Sequence, residues 1–176
     1  MKVHPFTTVV AAALLAISLG AIAAPADDLY VGGSLGTTRY PDAVNGVSGH
    51  GSGISGKLFG GYQLAPNFAL EAGVGDLGRI HNGVDKVDGR SIYLDAVGLY
   101  PVVGKWSLLG RVGVAHVNLD TSNGDRAGNG LKLGLGAQYS LTSKLALRGE
   151  WERYRPSVFG GKPNIDQYTA GVRVGF

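Results

Sequence analysis

The feature that most constrains this sequence is a two-residue period that recurs along most of its length. Apolar residues occupy alternate positions in 28–38, in 131–141 and in 168–176, and glycine, lysine, glutamine, threonine or arginine positions lie between them. Alternation of this length indicates β-strands with one apolar face. No comparable helical period follows residue 28. The chain is therefore predicted to be all-β.

Turn residues divide the chain into eight segments that fit strands. Short connections at 64–67, 101–104 and 141–144 alternate with longer polar stretches at 40–52, 76–90, 118–129 and 154–164. This order of short and long connections predicts an eight-stranded antiparallel up-and-down transmembrane β-barrel. The predicted strands are 28–38, 53–64, 67–77, 91–100, 105–117, 130–141, 144–154 and 165–176.

The rival fold is a soluble eight-stranded barrel of the lipocalin kind, with its apolar face turned inward. Its outer surface would then be the glycine-rich face, yet charged residues are only 16% of the chain, against about 25% in soluble domains. Aromatic residues on the apolar face also cluster beside the short turns, as they do at a bilayer interface. We therefore expect the apolar face to meet lipid, with an aromatic girdle of Tyr62, Tyr100, Trp106, Tyr139 and Phe176.

The N-terminal segment has the three parts of a secretory signal peptide. Lys2 precedes an apolar run at 9–17, and small residues follow at 21–24. We predict a signal peptide at 1–24, cleaved after a residue between Ala23 and Ala26, and a barrel at 25–176. No stretch of 18 apolar residues follows it, so no membrane helix is expected in the exported protein.

Composition and motifs argue against several other functions. The chain has no cysteine, and its 16 basic residues are scattered with a net charge of +3, so thiolate chemistry and nucleic-acid binding are not expected. The G-x-G-x-x-G pattern at 73–78 lacks the helix that a dinucleotide site requires. His50, His81 and His116 show no metal-ligand spacing. We expect no cofactor, metal or catalytic residue.

Several segments resemble the OmpA-type transmembrane barrel of Gram-negative outer membranes. The resembling stretches, in the family's order, are 29–36, 59–63, 77–80, 137–142 and 147–151. The resemblance implies location in the outer membrane and recognition of the last strand, through its terminal aromatic, by the outer-membrane assembly machinery. Because the sequence stops at Phe176, the family's periplasmic peptidoglycan-binding domain is not expected, and anchoring to peptidoglycan is not carried over.

Strand parity sends a nearly balanced set of charges into the barrel. Eight strands enclose a lumen that side chains fill, and charges there need partners. In the resembling family such a network acts as a plug or gate, and Glu71 and Arg148 match two of its members. Ser34 and Gln138 replace charged members, so a structural plug is expected before a gate. The predicted interior charges are Lys57, Glu71, Asp95, Arg111, Lys132, Arg148, Glu150, Glu152 and Arg173.

The expected function is structural, and three alternatives stay open. They are a small low-conductance pore, a surface adhesion or binding module, and a lipid A deacylase built on His50 and Ser52. The last is disfavoured because the pair lies in a Gly/Ser-rich loop. The predicted long loops and their edges carry basic residues mixed with aspartates, and the basic groups could contact lipopolysaccharide phosphates or simply be solvated. These basic residues are Arg39, Arg79, Lys86, Arg90, Arg126, Arg153, Arg155 and Lys162.

Overall fold

The described residues form one closed antiparallel barrel. The structure, a computed structural model, describes residues 28–39, 52–82, 85–121, 124–157 and 164–176. In this part of the chain no helix is long and apolar enough to cross a membrane. The strands are β1 (Leu29–Arg39), β2 (Ser52–Ala65), β3 (Phe68–Asn82), β4 (Asp85–Val103), β5 (Trp106–Thr121), β6 (Gly124–Ser140), β7 (Leu145–Pro156) and β8 (Ile165–Gly175).

Each strand pairs with its neighbours in sequence, and β1 pairs with β8 to close the barrel. Closure follows a continuous register from Tyr30 opposite Gly175 to Arg39 opposite Asp166. Because a closed sheet has no edge, every strand has a backbone partner on both sides, which a hydrocarbon environment demands. The predicted fold class is confirmed.

The short turns lie at one end of the barrel, which we call the short-turn end, together with the start of β1 and the end of β8. Pro66 and Asn67 join β2 to β3, Gly104 and Lys105 join β4 to β5, and residues 141–144 join β6 to β7. Gly104 has a φ of 56°, a backbone conformation that glycine adopts at little cost. The opposite end is called the long-loop end.

Two of the predicted long loops are mostly strand. β3 and β4 pair as far as Asn82 opposite Asp85, and β5 and β6 pair as far as Thr121 opposite Gly124. The polar residues at 76–90 and 118–129 suggested loops, but the outer face of a strand that extends beyond a membrane contacts water and needs no apolar residues. The predicted loop residues at 40–51 and 158–163 lie outside the described residues.

The two faces of the sheet separate side chains as the alternation predicts. On the outer face Leu35 is 73% exposed and Ile54 is 86% exposed, whereas Lys57 and Lys132 on the inner face are at most 3% exposed. An isolated barrel that exposes leucine and isoleucine while enclosing lysine requires an apolar solvent outside. The core of the molecule is therefore the lumen.

Candidate functional site in the barrel interior

Glycines on the inner face make room for long charged side chains. At Gly134 an added Cβ would lie 2.7 Å from Cγ of Arg111, and at Gly113 it would lie 2.2 Å from Oδ1 of Asp95 and from the backbone oxygen of Leu94. These two glycines therefore set the space in which the arginine and the aspartate reach across the lumen. This explains part of the high glycine content, 30 of 176 residues.

Arg111 lies at the centre of the interior charges and contacts four carboxylates. Its guanidinium is 2.9 Å from Asp95, 3.1 Å from Glu71 and 3.1 Å from Glu152, and it also pairs directly with Glu150. These carboxylates come from β3, β4 and β7, whereas Arg111 is on β5. One side chain thus ties together strands from opposite sides of the barrel.

Two lysines complete the charge balance around this centre. Lys132 Nζ is 2.7 Å from Asp95 and 3.2 Å from Glu152, and Lys57 Nζ is 2.6 Å from Glu152 and pairs directly with Glu150. All of these side chains are almost fully buried. Each ion has at least two opposite charges as neighbours, and such multiple pairing compensates the cost of removing it from water.

Arg148 joins the cluster from β7. It pairs directly with Glu71, lies 4.0 Å from Glu150, and donates a hydrogen bond of 2.8 Å from Nε to Oε1 of Gln138. The Tyr30 hydroxyl donates to Oε1 of Glu71 at 2.8 Å. The resulting set, which we call the interior cluster, has four cations and four anions, namely Lys57, Arg111, Lys132, Arg148, Glu71, Asp95, Glu150 and Glu152.

Arg173 lies inside the barrel but apart from the interior cluster, nearer the short-turn end. Its Nη2 donates to Oε1 of Gln63 at 3.1 Å, and its guanidinium carbon is 3.9 Å from the centre of the Tyr30 ring. Ser34 is buried on the neighbouring inner wall, opposite Lys57 in the register. The structure therefore brings eight of the nine predicted interior charges into the interior cluster and places Arg173 nearer the short-turn end.

The lumen also holds buried apolar side chains, which the sequence analysis did not single out. Buried apolar side chains lie toward both ends of the lumen, because strand positions beyond the charged layer again carry leucine and valine on the inner face. Toward the short-turn end these are Val97, Leu99 and Leu109, and toward the long-loop end they are Leu77, Val117, Leu119 and Ile165. Apolar side chains therefore line part of the lumen on both sides of the charged layer, next to polar ones such as Ser55, Ser91 and Gln167.

Aromatic residues inside the lumen were missed by the sequence analysis, which placed aromatics on the lipid face. Lys132 Nζ is 3.4 Å from the centre of the Tyr93 ring and 5.3 Å from that of Tyr154, so both rings lie against a fully buried cation. The Tyr154 hydroxyl is also 3.2 Å from Oε2 of Glu152. Strand parity could have identified these two rings, because Tyr93 and Tyr154 are each two residues from an inward-facing carboxylate, Asp95 and Glu152.

The structure places the five predicted girdle residues on the outer face near the short-turn end. Trp106 and Tyr139 oppose each other in the register with ring centres 4.9 Å apart. Tyr100, Trp106 and Phe176 are about half to two-thirds exposed. A second aromatic pair, Trp151 opposite Tyr168, lies on the outer face toward the long-loop end; two aromatic belts are typical of a membrane-spanning barrel.

The motifs that suggested chemistry have structural roles where they are described. In the G-x-G-x-x-G segment, Oδ1 of Asp76 accepts a 2.8 Å hydrogen bond from the amide of Gly78, whose φ is 79°, at an irregularity of the β3–β4 register. His116 Nδ1 lies 2.7 Å from Oδ1 of Asn129. Within the described ranges no group of three metal-ligating side chains occurs. His50 and the predicted signal peptide lie outside those ranges.

A closed barrel with an apolar exterior, aromatic belts and a charge-filled lumen is a transmembrane protein of outer membranes. The family model of the outer membrane protein beta-barrel domain matches residues 9–176. The chain belongs to this family and is an outer-membrane protein.

Individual relatives agree with this assignment. Outer membrane protein A of Yersinia pseudotuberculosis serotype I (strain IP32953) is 30% identical over 191 residues, covering 94% of this chain and 54% of that protein. The chain thus spans about half the length of the curated relative that it matches. The predicted resemblance to OmpA-type barrels is confirmed.

Solved structures share the fold. Neisserial surface protein A superposes with a TM-score of 0.67 at 17% identity, covering 84% of this chain and 97% of that one. The N-terminal β-barrel domain of Pseudomonas aeruginosa OprF superposes with a TM-score of 0.60 at 18% identity, covering 85% and 98%.

Proposed function

We propose that this chain is a structural, non-conducting barrel of the outer membrane whose filled lumen supports envelope integrity. The observation that carries the proposal is the interior cluster, which crosses the lumen with four cations and four anions, none more than 6% exposed. Ions pass a pore only where water or mobile polar groups line a continuous path. Here the charged groups are engaged with one another across the lumen, and apolar side chains such as Leu109 and Val117 lie at the same inner wall on either side of them.

The contacts of Arg111 favour a fixed plug over a gate that opens and closes. Arg111 holds four carboxylates at once, so moving it would leave several buried carboxylates without their main partner. A gate needs a charge that exchanges one partner for another at modest cost. Arg148 is the more exchangeable member because Gln138, a neutral group, accepts one of its hydrogen bonds.

A non-enzymatic role follows from the same geometry. The carboxylates of the interior cluster are almost fully buried and paired with cations, so they are not placed to act as catalytic acids or bases. On the outer face, His116 lies beside Asn129, whose neutral side-chain amide cannot act as a nucleophile or a general base.

Single-channel recording in planar bilayers tests the proposal. The intact protein and its Arg148→Ala variant are both expected to show no conductance steps, with a large-channel porin as the positive control for insertion. Discrete steps from the intact protein would contradict a plugged lumen. Steps from the Arg148→Ala variant alone would replace the plug with a gate.

A cell-based measurement tests the contribution to the envelope. Cells that lack the chain are expected to become more sensitive to detergent, and expression of the intact chain or of the Arg148→Ala variant is expected to restore resistance. Unchanged detergent sensitivity after deletion would contradict the structural role. It would not bear on conductance, which the bilayer recordings test separately.

A further inference from the structure

The outer face carries a layered stripe across β7, β8 and β1 at the long-loop end. In the register Arg153 lies opposite Asp166, and Asp166 lies opposite Arg39, so three charged residues form one row. Trp151 and Tyr168 form the next outward-facing row toward the middle of the barrel. Polar charge directly above aromatic rings is the order expected where a bilayer meets water.

The contacts within this stripe leave it cationic. Arg153 donates from Nε and Nη2 to the two oxygens of Asp166 at 2.7 and 2.8 Å, a bidentate pair, and its guanidinium carbon is 5.2 Å from the Trp151 ring centre. Arg39 lies 5.6 Å from the Tyr168 ring centre and is exposed. Asp166, the carboxylate of this row, is bound through both oxygens by Arg153. The guanidinium of Arg39 instead lies over the outward-facing ring of Tyr168.

Arg155 extends the stripe by one more row. Its Nε donates to Oδ1 of Asn164 at 2.9 Å, and its side chain is exposed. The stripe therefore carries three arginines against one aspartate. The corresponding outer positions on β3 and β4 carry charges of both signs, with Arg90 opposite Asp76 and Arg79 opposite Asp88 in the register.

The height of the stripe matches the boundary of the hydrocarbon layer. Arg39 lies ten positions from Leu29 along β1, and Asp166 lies ten positions from Phe176 along β8. With a rise of about 3.3 Å per residue and a strand tilt of about 40°, ten residues cover roughly 25 Å along the membrane normal, the height of the apolar band of such barrels. The arginines thus lie at the level of the outer-leaflet headgroups.

A shallow depression lies next to the aromatic row on the membrane side. Ala137, Gly149 and Ala170 occupy one row of outward positions on β6, β7 and β8. A Cβ added at Gly149 would meet nothing within 4 Å, so the surface here is open. Larger outer side chains, such as Leu147 and Leu35, border this row. A saturated acyl chain fits such a depression better than it fits a surface of leucines.

We propose that this stripe is a binding site for the phosphorylated glycolipid headgroup of the outer leaflet, the lipid A part of lipopolysaccharide. Guanidinium groups bind phosphate oxygens through paired, charge-assisted hydrogen bonds. Trp151 and Tyr168 offer amphipathic rings at the level of the sugars, and the depression receives acyl chain. Arg39 and Arg155 are the phosphate-binding residues, and the Arg153–Asp166 pair holds β7 against β8 beneath them.

The test compares two double variants of the folded protein in detergent micelles. Arg39→Gln/Arg155→Gln removes the two phosphate-binding charges and leaves the Arg153–Asp166 pair intact. Lys105→Gln/Lys144→Gln removes two exposed cations at the short-turn end and is the matched control. Affinity for bisphosphorylated lipid A is measured by calorimetry, and dephosphorylated lipid A and inorganic phosphate serve as further probes.

The Arg39→Gln/Arg155→Gln variant is expected to bind bisphosphorylated lipid A about tenfold more weakly than the intact protein, while the control binds normally. Dephosphorylated lipid A is expected to bind the intact protein about as weakly as the variant binds the natural form. Equal affinities of the two double variants would overturn the proposal. Binding of inorganic phosphate as tight as that of lipid A would also overturn it, because the site would then be one for soluble anions.

Discussion

At the scale of single residues, the lumen is organised by one arginine and the glycines around it. Arg111 contacts the four carboxylates of the interior cluster, those of Glu71, Asp95, Glu150 and Glu152. Because the interior cluster has equal numbers of cations and anions, the loss of any member leaves a buried net charge. The same balance makes the cluster sensitive to single substitutions and tolerant of paired ones.

Replacing Arg111 with leucine is expected to lower the free energy of unfolding by about 3–5 kcal/mol, since carboxylates stay buried without their shared partner. Urea unfolding of the protein in lipid vesicles measures the change. The control Lys105→Leu removes an exposed cation and should change the value by less than about 0.5 kcal/mol. Adding Glu150→Gln to Arg111→Leu restores neutrality, so the double variant should lose less than the two single losses combined.

The glycines give a second prediction at this scale. Gly113→Ala places a methyl group 2.2 Å from the Leu94 backbone oxygen, so the β4–β5 pair must shift. A loss of about 1–3 kcal/mol is expected in the same unfolding measurement. Gly110→Ala on the same strand points outward, where the new methyl would be 4.0 Å from Leu135, and little change is expected. Equal losses of unfolding free energy for the two substitutions would contradict the close packing of the inner wall at Gly113.

At the scale of elements, each strand has a lipid face and a lumen face, and alternation in the sequence was enough to separate them. The outward positions of β6, Leu131, Leu133 and Leu135, alternate with inward Lys132 and Gly134. Strand ends were harder to predict. Beyond the bilayer the outer face of β3–β6 is wet, so polar residues continue the strands without the apolar signal, and the loops at 76–90 and 118–129 were predicted too long.

A charge introduced on one strand should cost free energy according to its depth. Leu135→Arg places a cation on the lipid face of β6, within the apolar band, and a loss of about 2–4 kcal/mol in folding into bilayers is expected. Ala127→Arg lies on the same strand and the same face near the long-loop end, where the expected loss is about 0–1 kcal/mol. Equal losses at the two positions would contradict the membrane placement of β6.

At the scale of the whole molecule, the sequence predicted closure and the identity of the interior charges but not their layering. The parity of Lys57, Glu71, Asp95 and Arg111 follows from local alternation, whereas their meeting at Arg111 depends on register and barrel tilt, which no local pattern contains. The apolar side chains toward both ends of the lumen, such as Val117 and Leu119, were missed because inward leucines look like lipid-facing ones when parity is read only in the middle of a strand.

Closure of the sheet also predicts behaviour on gels. A barrel with all eight strands paired and a tightly bonded lumen should stay folded in SDS without heating and should change its migration after boiling. The Arg111→Leu variant should need a lower temperature for this change. Identical migration of boiled and unboiled intact protein would contradict a closed barrel.

The central claim is that the leucine-rich face meets hydrocarbon and the charged face is enclosed. Because the chain has no cysteine, single spin labels can be placed at Leu133, Val172 and, on the inner wall, Thr169, and their collisions with oxygen and with a water-soluble nickel complex measured in bilayers. The account predicts high oxygen and low nickel accessibility at Leu133 and Val172, and low oxygen accessibility at Thr169. The reverse, with Thr169 in contact with acyl chains and Leu133 and Val172 shielded from them, would contradict it.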